Sequence, residues 1–427
     1  MIRYAWITFA VAILAMAFAF PAVAQDANDS NGGSFFSELP VEVHGFYDMR
    51  AGYRLRKDKY EKDMSIMENR LQLDLDSYLD WGDIKVKGDV FGDWVQEQAD
   101  FDLREANVFI RPFDFMDLKL GRQILTWGTG DLIFINDLFP KDWQSFFIGR
   151  DIEYLKAPSD ALKVSLFGDW ANLDFVYTPE FDPDRFISGE RLSYWNSNLN
   201  RLAGQDAIIR TDRPDRWFRD SELAARLYKN INNYEFALYG YRGYWKSPGG
   251  QAGTNAIFPD LNVYGASVRG AIAKGIGNLE FGYYESADDL SGKNRLINNS
   301  EMRYLVGYTR EIGMDFTMGV QYYVEQMLDY NQYKRNLISG PARDRFRHLT
   351  TVRLTKLLLN QNLRCSLFTY YSPTDKDVYM RPNINYKVSD NVAVEIGGNI
   401  FFGDYPNTFF GQFENNTNIY VGLRYSF

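Results

Sequence analysis

The sequence predicts an all-β fold, a transmembrane antiparallel β-barrel of about 18 strands, with 16 as the alternative count. Three observations predict it. From residue 41 onward, apolar and polar side chains alternate in segments of about ten residues. The connections between these segments alternate between short and long. After residue 24 no apolar stretch approaches the roughly 18 residues of a membrane-spanning helix, which excludes a helical membrane protein.

The N-terminus predicts export. Arg3 is the only charge before an apolar run over residues 4–20, and Ala22-Val23-Ala24 is a small-x-small cleavage pattern. We therefore expect a signal peptide at residues 1–24, a polar periplasmic lead-in at 25–40 and the barrel at 41–427. Removal of Arg3 changes the formal charge from −9 to −10, and an acidic chain is not expected to bind nucleic acid.

The strand signal is clearest over residues 70–79. Four leucines occupy one face, and polar residues or Tyr78 occupy the other. Residues 84–94, 316–324 and 392–402 repeat the pattern. A soluble sandwich would bury the same stripes against a second sheet, so periodicity alone leaves that alternative open. The two ends of the chain favour the barrel.

Connections separate into two classes. The short ones are expected at 81–83, 230–233, 274–277, 312–313, 360–361 and 389–391, facing the periplasm. The long ones are expected at 56–67, 128–150, 179–216, 246–260, 288–299, 328–345 and 405–415, facing outside. A count of 18 requires residues 150–169 to form one strand broken at Pro158. If Pro158 marks a real turn, the count becomes odd.

The C-terminus is a strand whose apolar face ends in two aromatics. We expect Tyr425 and Phe427 to lie in an aromatic girdle at a membrane interface, and residues 417–427 to pair with 41–55. Tyr420, Gly422, Tyr425 and Phe427 together resemble the C-terminal signal by which Gram-negative outer-membrane barrels are recognised for insertion. The resemblance implies an outer-membrane location, with lipid and the barrel-insertion machinery as partners.

Residues 128–150 form a long connection that is too apolar to lie in water. We predict that it folds into the lumen and narrows it, with packing on the rim or in a subunit interface as alternatives. The residues expected at this constriction are Arg122, Asp131, Phe134, Asp137, Lys141 and Trp143.

Inward positions are unevenly charged. Those expected to line the pore near the N-terminus are Arg50, Asp74, Asp76, Lys85, Lys87 and Asp89. Those near the C-terminus are Arg353, Arg364, Arg381, Lys387 and Arg424. Closure brings the basic sector beside the mixed acidic one, which predicts mild preference for anions or zwitterions. The alternative is a set of salt bridges that stiffens the wall.

Other side chains give little sign of catalysis. His44 and His348 are the only histidines, and neither has the partners of a catalytic triad, so we expect no enzyme activity, metal or cofactor. The lone Cys365 excludes an intramolecular disulfide and is expected to face lipid. Residues 181–217 are rich in Arg, Trp, Asp and Glu, so this loop either binds carboxylates or sugars or is neutralised internally.

A local resemblance covers roughly 60 residues. Gly121-Arg122-Gln123, followed by Trp127-Gly128, resembles a segment of porin-like barrels related to the alginate-export group. Residues 176–185 also resemble a segment of those barrels. The resemblance implies a diffusion channel and names no solute. We therefore expect a passive channel, monomeric or trimeric, for small hydrophilic or amphiphilic solutes. An adhesin or receptor, or the barrel of an export system, remain as alternatives.

Overall fold

Eighteen antiparallel strands close into a barrel in the computed structural model, which describes residues 41–337 and 341–427. Each strand pairs with its successor, and the last pairs with the first. The predicted fold and the count of 18 are confirmed. The predicted signal peptide (1–24) and lead-in (25–40) lie outside the described residues.

The barrel strands are numbered β1–β18 in chain order. The first nine are β1 Val41–Arg54, β2 Met64–Leu79, β3 Gly82–Asp93, β4 Gln98–Phe113, β5 Met116–Gln123, β6 Ser159–Leu166, β7 Asn172–Thr178, β8 Glu222–Ile231 and β9 Tyr234–Tyr244. The last nine are β10 Asp260–Ile272, β11 Gly275–Ser286, β12 Glu301–Gly313, β13 Phe316–Met327, β14 Phe346–Leu358, β15 Leu363–Ser372, β16 Asp377–Lys387, β17 Val392–Gly403 and β18 Asn418–Ser426.

Shorter elements lie in the connections. The α-helices are α1 Trp143–Ile148 and α2 Tyr330–Asn336, and the 3-10 helices are Ile152–Leu155, Ala287–Asp289 and Gly411–Asn416. Short strands at Tyr194–Asn196 and Arg201–Ala203 form a hairpin, and those at Thr211–Asp212, Gly250–Ala252 and Asn255–Ile257 form a three-stranded sheet. Each helix in residues 41–337 and 341–427 falls short of the length and apolarity needed to cross a membrane.

Alternation gives every strand an inward and an outward face. In β13, Gln321 and Tyr323 are buried while Tyr322 between them is exposed. In β18, Tyr420 is buried, whereas Tyr425 is 51% exposed, and Phe427 directly after the strand is 47% exposed. The pairing carries these faces round the barrel, because paired residues share a side of the sheet. Register shifts interrupt it in the pairs β1–β2, β3–β4, β4–β5 and β12–β13.

The two ends of the barrel differ. Connections at the turn end are short, and both residue 41 and the C-terminus lie there. Connections at the loop end are mostly long, the longest being 124–158 and 179–221. Two four-residue turns, 94–97 and 373–376, also lie at the loop end and interrupt the predicted alternation of lengths.

The predicted strand over residues 150–169 is wrong in its bounds. β6 begins at Ser159, and residues 150–158 belong to the preceding loop. Asp151 caps the 3-10 helix Ile152–Leu155, and Arg104 of β4 donates to the carbonyls of Glu153 and Lys156. These hydrogen bonds satisfy backbone groups that a strand would have paired. β6 is therefore shorter than predicted, and the number of barrel strands is still 18.

The predicted closure of the first strand on the last is confirmed. Nine residue pairs join β1 and β18, from Phe46 with Ser426 to Arg54 with Asn418. Beyond them, the amide and carbonyl of Phe427 pair with Gly45, both at 3.0 Å. A side chain on Gly45 would overlap the Phe427 ring, so glycine lets the terminal aromatic pack across β1.

Candidate functional site

Residues 124–158, here called the inner loop, connect β5 to β6 and contact inward-facing side chains. The apolar residues that made this segment unsuited to water are buried in one core with the wall, which includes Ile135, Phe146, Phe147, Leu305 and Phe368. The hydrophobic effect therefore holds the inner loop against the inner face of the barrel.

Glu280 of β11 anchors the first half of the inner loop. Its carboxylate accepts hydrogen bonds from the amides of Thr129 (2.9 Å), Gly130 (3.0 Å) and Asn136 (2.9 Å), and from both polar side chains, Thr129 Oγ1 and Asn136 Nδ2. Gly128 precedes them with a φ of 81°, and a Cβ there would lie 2.8 Å from Glu280 Oε1. One buried carboxylate thus fixes both arms of a turn.

The tip of that turn reaches β13 and β14. The Asp131 amide donates to Gln321 Oε1 at 2.7 Å, and Gln321 Nε2 donates back to the Asp131 carbonyl at 2.8 Å. Arg353 Nη2 donates to Asp131 Oδ1 at 2.7 Å. The Asp131 and Arg353 side chains are 43% and 35% exposed. Asp131, predicted at the constriction, therefore contacts Arg353, predicted to line the pore.

Helix α1 packs aromatic rings on the part of the wall formed by β16 and β17. Asp142 caps it by accepting from the Ser145 amide at 2.7 Å, and Gly149 ends it with a φ of 99°. The Phe147 ring lies 5.2 Å from the rings of both Tyr379 and Phe401. These edge-to-face contacts set the helix against β16 and β17.

Apart from Asp131, the constriction residues predicted from the sequence divide into three groups. Asp137 and Lys141 are buried and pair with each other at 2.9 Å, so they stabilise the inner loop itself. Phe134 and Trp143 are partly buried, with ring centroids 5.9 Å apart. Arg122 lies elsewhere, since it binds Asp160 of β6 at 3.0 Å and the Leu103 carbonyl at 2.6 Å.

Most predicted lining residues are ion-paired. The pairs are Arg50 with Asp48 and Glu395, Asp74 with Lys85 and Lys87, Asp76 with Lys85, Asp89 with Arg70, Arg353 with Asp131, Lys387 with Asp390, and Arg424 with Asp48. Arg364 and Arg381 have no carboxylate within 4.0 Å among residues 41–337 and 341–427. Arg381 instead lies over the Phe146 ring at 4.0 Å. The predicted lining residues are thus largely neutralised, with two of their cations left over.

Five of the six arginines of residues 181–217 form ion pairs. Arg185 makes two 2.8 Å bonds to Asp102, and Arg191, Arg201, Arg213 and Arg216 each pair with an Asp or Glu. Only the pair of Arg201 with Asp206 lies within the segment, so these arginines are neutralised mainly by carboxylates outside it, Asp93, Asp102, Glu180 and Asp220. In the same segment Asp184 accepts from the Lys141 amide at 2.7 Å and from Trp143 Nε1 at 3.1 Å, which supports the inner loop from the loop end.

Sequence reasoning missed several residues that position the inner loop. Glu280, Gln321 and Glu68 were not singled out, although each lies on the inward face of a regular strand. A single inward carboxylate between apolar neighbours, as in Leu279-Glu280-Phe281, was the available signal. Within the described ranges, no three His, Cys, Asp or Glu side chains are placed to share a metal ion.

Glu61, in the 55–63 connection, gives a pH-dependent contact at the loop end. Burial raises the pKa of Glu61 to about 7, against the opposing charge of Arg54. Because burial disfavours the ionised carboxyl, packing of Glu61 at the loop end becomes more favourable as pH falls below 7 and less favourable as pH rises toward it.

We expect trypsin to cleave after Lys57 and Lys59 faster in the native chain than in Glu61→Gln at pH 8, and faster by a smaller factor at pH 6, where more of the packed carboxyl is protonated. The ratio of the two rates cancels the pH dependence of trypsin itself. An equal ratio at both pH values would contradict the role of this carboxyl.

Comparisons with known proteins concern the fold. The sequence matches no protein-family model, and no curated protein matches it significantly, so the resemblance to alginate-export porins gains no support. Solved structures do match. Acinetobacter baumannii OccAB4 superposes with a TM-score of 0.58 at 10% identity, covering 92% of this chain and 100% of that one. The chain shares this barrel fold.

Two further structures agree. Acinetobacter baumannii OccAB3 gives a TM-score of 0.56 at 11% identity, covering 91% of this chain and 99% of its own. Pseudomonas aeruginosa OccK11 (OpdR) gives 0.53 at 9% identity, covering 91% and 96%. At such identities the likeness is one of architecture.

Proposed function

We propose that this protein is an outer-membrane channel for passive diffusion of small hydrophilic or amphiphilic solutes, narrowed by the inner loop. The observation that carries the proposal is a loop held by charged hydrogen bonds against the inner face of a closed 18-strand barrel. A barrel of this size encloses a lumen that only inserted segments can narrow. The fold shared with outer-membrane channels supports the same conclusion.

Charge selects among solutes in this proposal. Paired side chains on the wall cancel one another, so the contribution of the predicted lining residues to the field in the lumen comes from the unpaired Arg364 and Arg381 and from the half-exposed pair of Asp131 with Arg353. Arg364 is exposed on the inward face of β15. Unpaired guanidinium groups attract anions and orient dipolar solutes, which gives a mild preference for anions or zwitterions.

The channel activity is tested with purified protein in planar bilayers and in solute-loaded liposomes. We expect stepwise conductance and swelling that falls with solute size, and heat-unfolded protein serves as the control. A folded barrel that gives neither signal would overturn the proposal in favour of an adhesin or receptor. Flux that requires a periplasmic partner in cells would favour an export component instead.

Charge selectivity is tested by combining Arg364→Ala with Arg381→Ala. In a KCl gradient we expect the reversal potential to move toward cation preference, because the two unpaired positive charges are removed from the lumen. The matched control is Lys334→Ala with Arg335→Ala, which removes the same charge from α2 in an outer connection. Equal reversal potentials for native and lumen variant would contradict the assignment.

A further inference from the structure

The seam between β1 and β18 joins the most distant parts of the chain. Asp48 of β1 and Arg424 of β18 form an ion pair at 3.0 Å although 376 residues separate them. Non-local pairings of this kind are slow to form, because the entropy of closing the chain is lost before the contacts are made. Any segment that holds both strands before they pair lowers that barrier.

Residues 147–153 of the inner loop hold both strands. On the β1 side, Arg50 Nη1 donates to the Gly149 carbonyl at 2.9 Å. On the β18 side, Asn418 Nδ2 donates to the Phe147 carbonyl at 3.0 Å. Gly149 also lies so close to the Tyr420 ring that a Cβ would overlap it. The backbone of this short stretch therefore accepts hydrogen bonds from side chains of both seam strands.

A single carboxylate oxygen bridges the two strands. Asp151 Oδ2 lies 3.6 Å from Arg50 Nη2 and 3.4 Å from Arg424 Nη2. Glu153 adds a 3.0 Å pair with Arg424, and Arg150 extends the contact to Glu68 of β2 at 2.6 Å. Without these loop groups, arginines from both seam strands would lie side by side with fewer counter-charges.

The other half of the inner loop contrasts with this arrangement. Residues 128–137 bind β11, β13 and β14, which lie within four strands that follow one another along the chain and are joined by connections of at most 18 residues, 287–300, 314–315 and 328–345. Those strands need no help to find each other, since each hairpin forms locally. The seam is the one place in the described barrel where the paired strands come from opposite ends of the chain.

We propose that residues 147–153 act as an internal template that brings β1 and β18 together, giving the inner loop a function in barrel assembly. Position along the chain supports this role. Gly149 lies 99 residues from Arg50, and Phe147 lies 271 residues from Asn418, so the longest closure is replaced by two shorter ones. The inference does not depend on which solutes pass, or on whether any do.

Two matched pairs of variants test the template. Gly149→Ala and Gly128→Ala both add a methyl group to a positive-φ glycine of the inner loop that abuts a wall side chain, Tyr420 at the seam and Glu280 opposite it. Asp151→Asn and Asp131→Asn both neutralise a loop carboxylate that pairs with arginine of the wall, Asp151 at the seam and Asp131 away from it. Asparagine retains the side-chain oxygen with which Asp151 caps its 3-10 helix.

The measurement is the rate at which the urea-unfolded chain folds into lipid vesicles, followed by the faster migration of the folded barrel on unboiled gels. We expect Gly149→Ala and Asp151→Asn to fold at least about fivefold more slowly, because contacts present at the rate-limiting step change the folding rate. Gly128→Ala and Asp131→Asn are expected to stay within about twofold of the native rate.

Three results would overturn the template. They are equal slowing by seam and opposite-wall variants, no slowing by either, and acceleration of unfolding alone by the seam variants, which would place docking after closure. Bilayer conductance of the molecules that do fold is recorded separately. A barrel that folds through the template and conducts nothing would refute the channel and leave the template intact.

Discussion

Deletion of Phe427 is expected to reduce the amount of assembled barrel far more than it changes the conductance of the molecules that assemble. The residue contributes two backbone hydrogen bonds to Gly45 at the seam, and its ring packs across that glycine. At about 1 kcal/mol each, the two bonds alone correspond to more than about tenfold in the closing equilibrium. The ring also belongs to the predicted insertion signal and faces outward, away from the lumen.

The measurement is the folded fraction in isolated outer membranes, with single-channel conductance recorded on the same preparation. Phe427→Ala keeps the two backbone hydrogen bonds, so we expect it to reduce the amount of assembled barrel less than the deletion does. Phe236→Ala is the control, because this aromatic is similarly exposed on the outer face of β9 and has no part in the seam. Equal losses for Phe427→Ala and Phe236→Ala would contradict a special role for the terminal residue.

Glu280→Ala is expected to raise single-channel conductance and current noise, by at least about twofold in conductance for a loop that narrows the pore. The substitution removes the acceptor of five hydrogen bonds from the inner loop, three of them from backbone amides. Charge-assisted bonds contribute about 1.5–3 kcal/mol each, and the buried amides left behind would need water instead. The turn at residues 128–137 should therefore leave the wall.

Glu235→Ala is the matched control for Glu280→Ala. Glu235 is an inward carboxylate of β9 that pairs with Arg226 at 2.6 Å, on the same inner wall. The substitution Glu235→Ala removes one wall charge and leaves the hydrogen bonds between Glu280 and the inner loop in place. Unchanged conductance in a folded Glu280→Ala barrel would refute the proposed constriction, because the best-anchored part of the inner loop would then lie outside the conducting path.

Local patterns predicted the barrel well, because the alternation of apolar and polar residues along a strand shows which side chains share a face. The leucines at 71, 73 and 75 and the outward positions of 316–324 follow from the two-residue period of a strand. The fold therefore needed no knowledge of distant contacts. The same reasoning misplaced the start of β6, since the residues before Ser159 are held by Arg104, which no local pattern links to them.

The functional residues were harder to predict, because alternation says that a side chain points inward and does not say what it meets there. Arg353 and Arg364 both occupy inward positions on the neighbouring strands β14 and β15, yet Arg353 binds Asp131 and Arg364 has no carboxylate within 4.0 Å in the described ranges. Arg122 and Asp131 are close in sequence, but only Asp131 reaches the opposite wall. The course of the inner loop decides these outcomes.

The sequence by itself determined the closed β-barrel, the pairing of its two ends and the need of residues 128–150 for burial, since each follows from the order of apolar and polar side chains along the chain. Only the tertiary structure decided that Glu280 holds one half of the inner loop and that Asp151 bridges β1 and β18. Contacts across a lumen depend on strand stagger and on the course of a long loop, and neither is encoded in a local period.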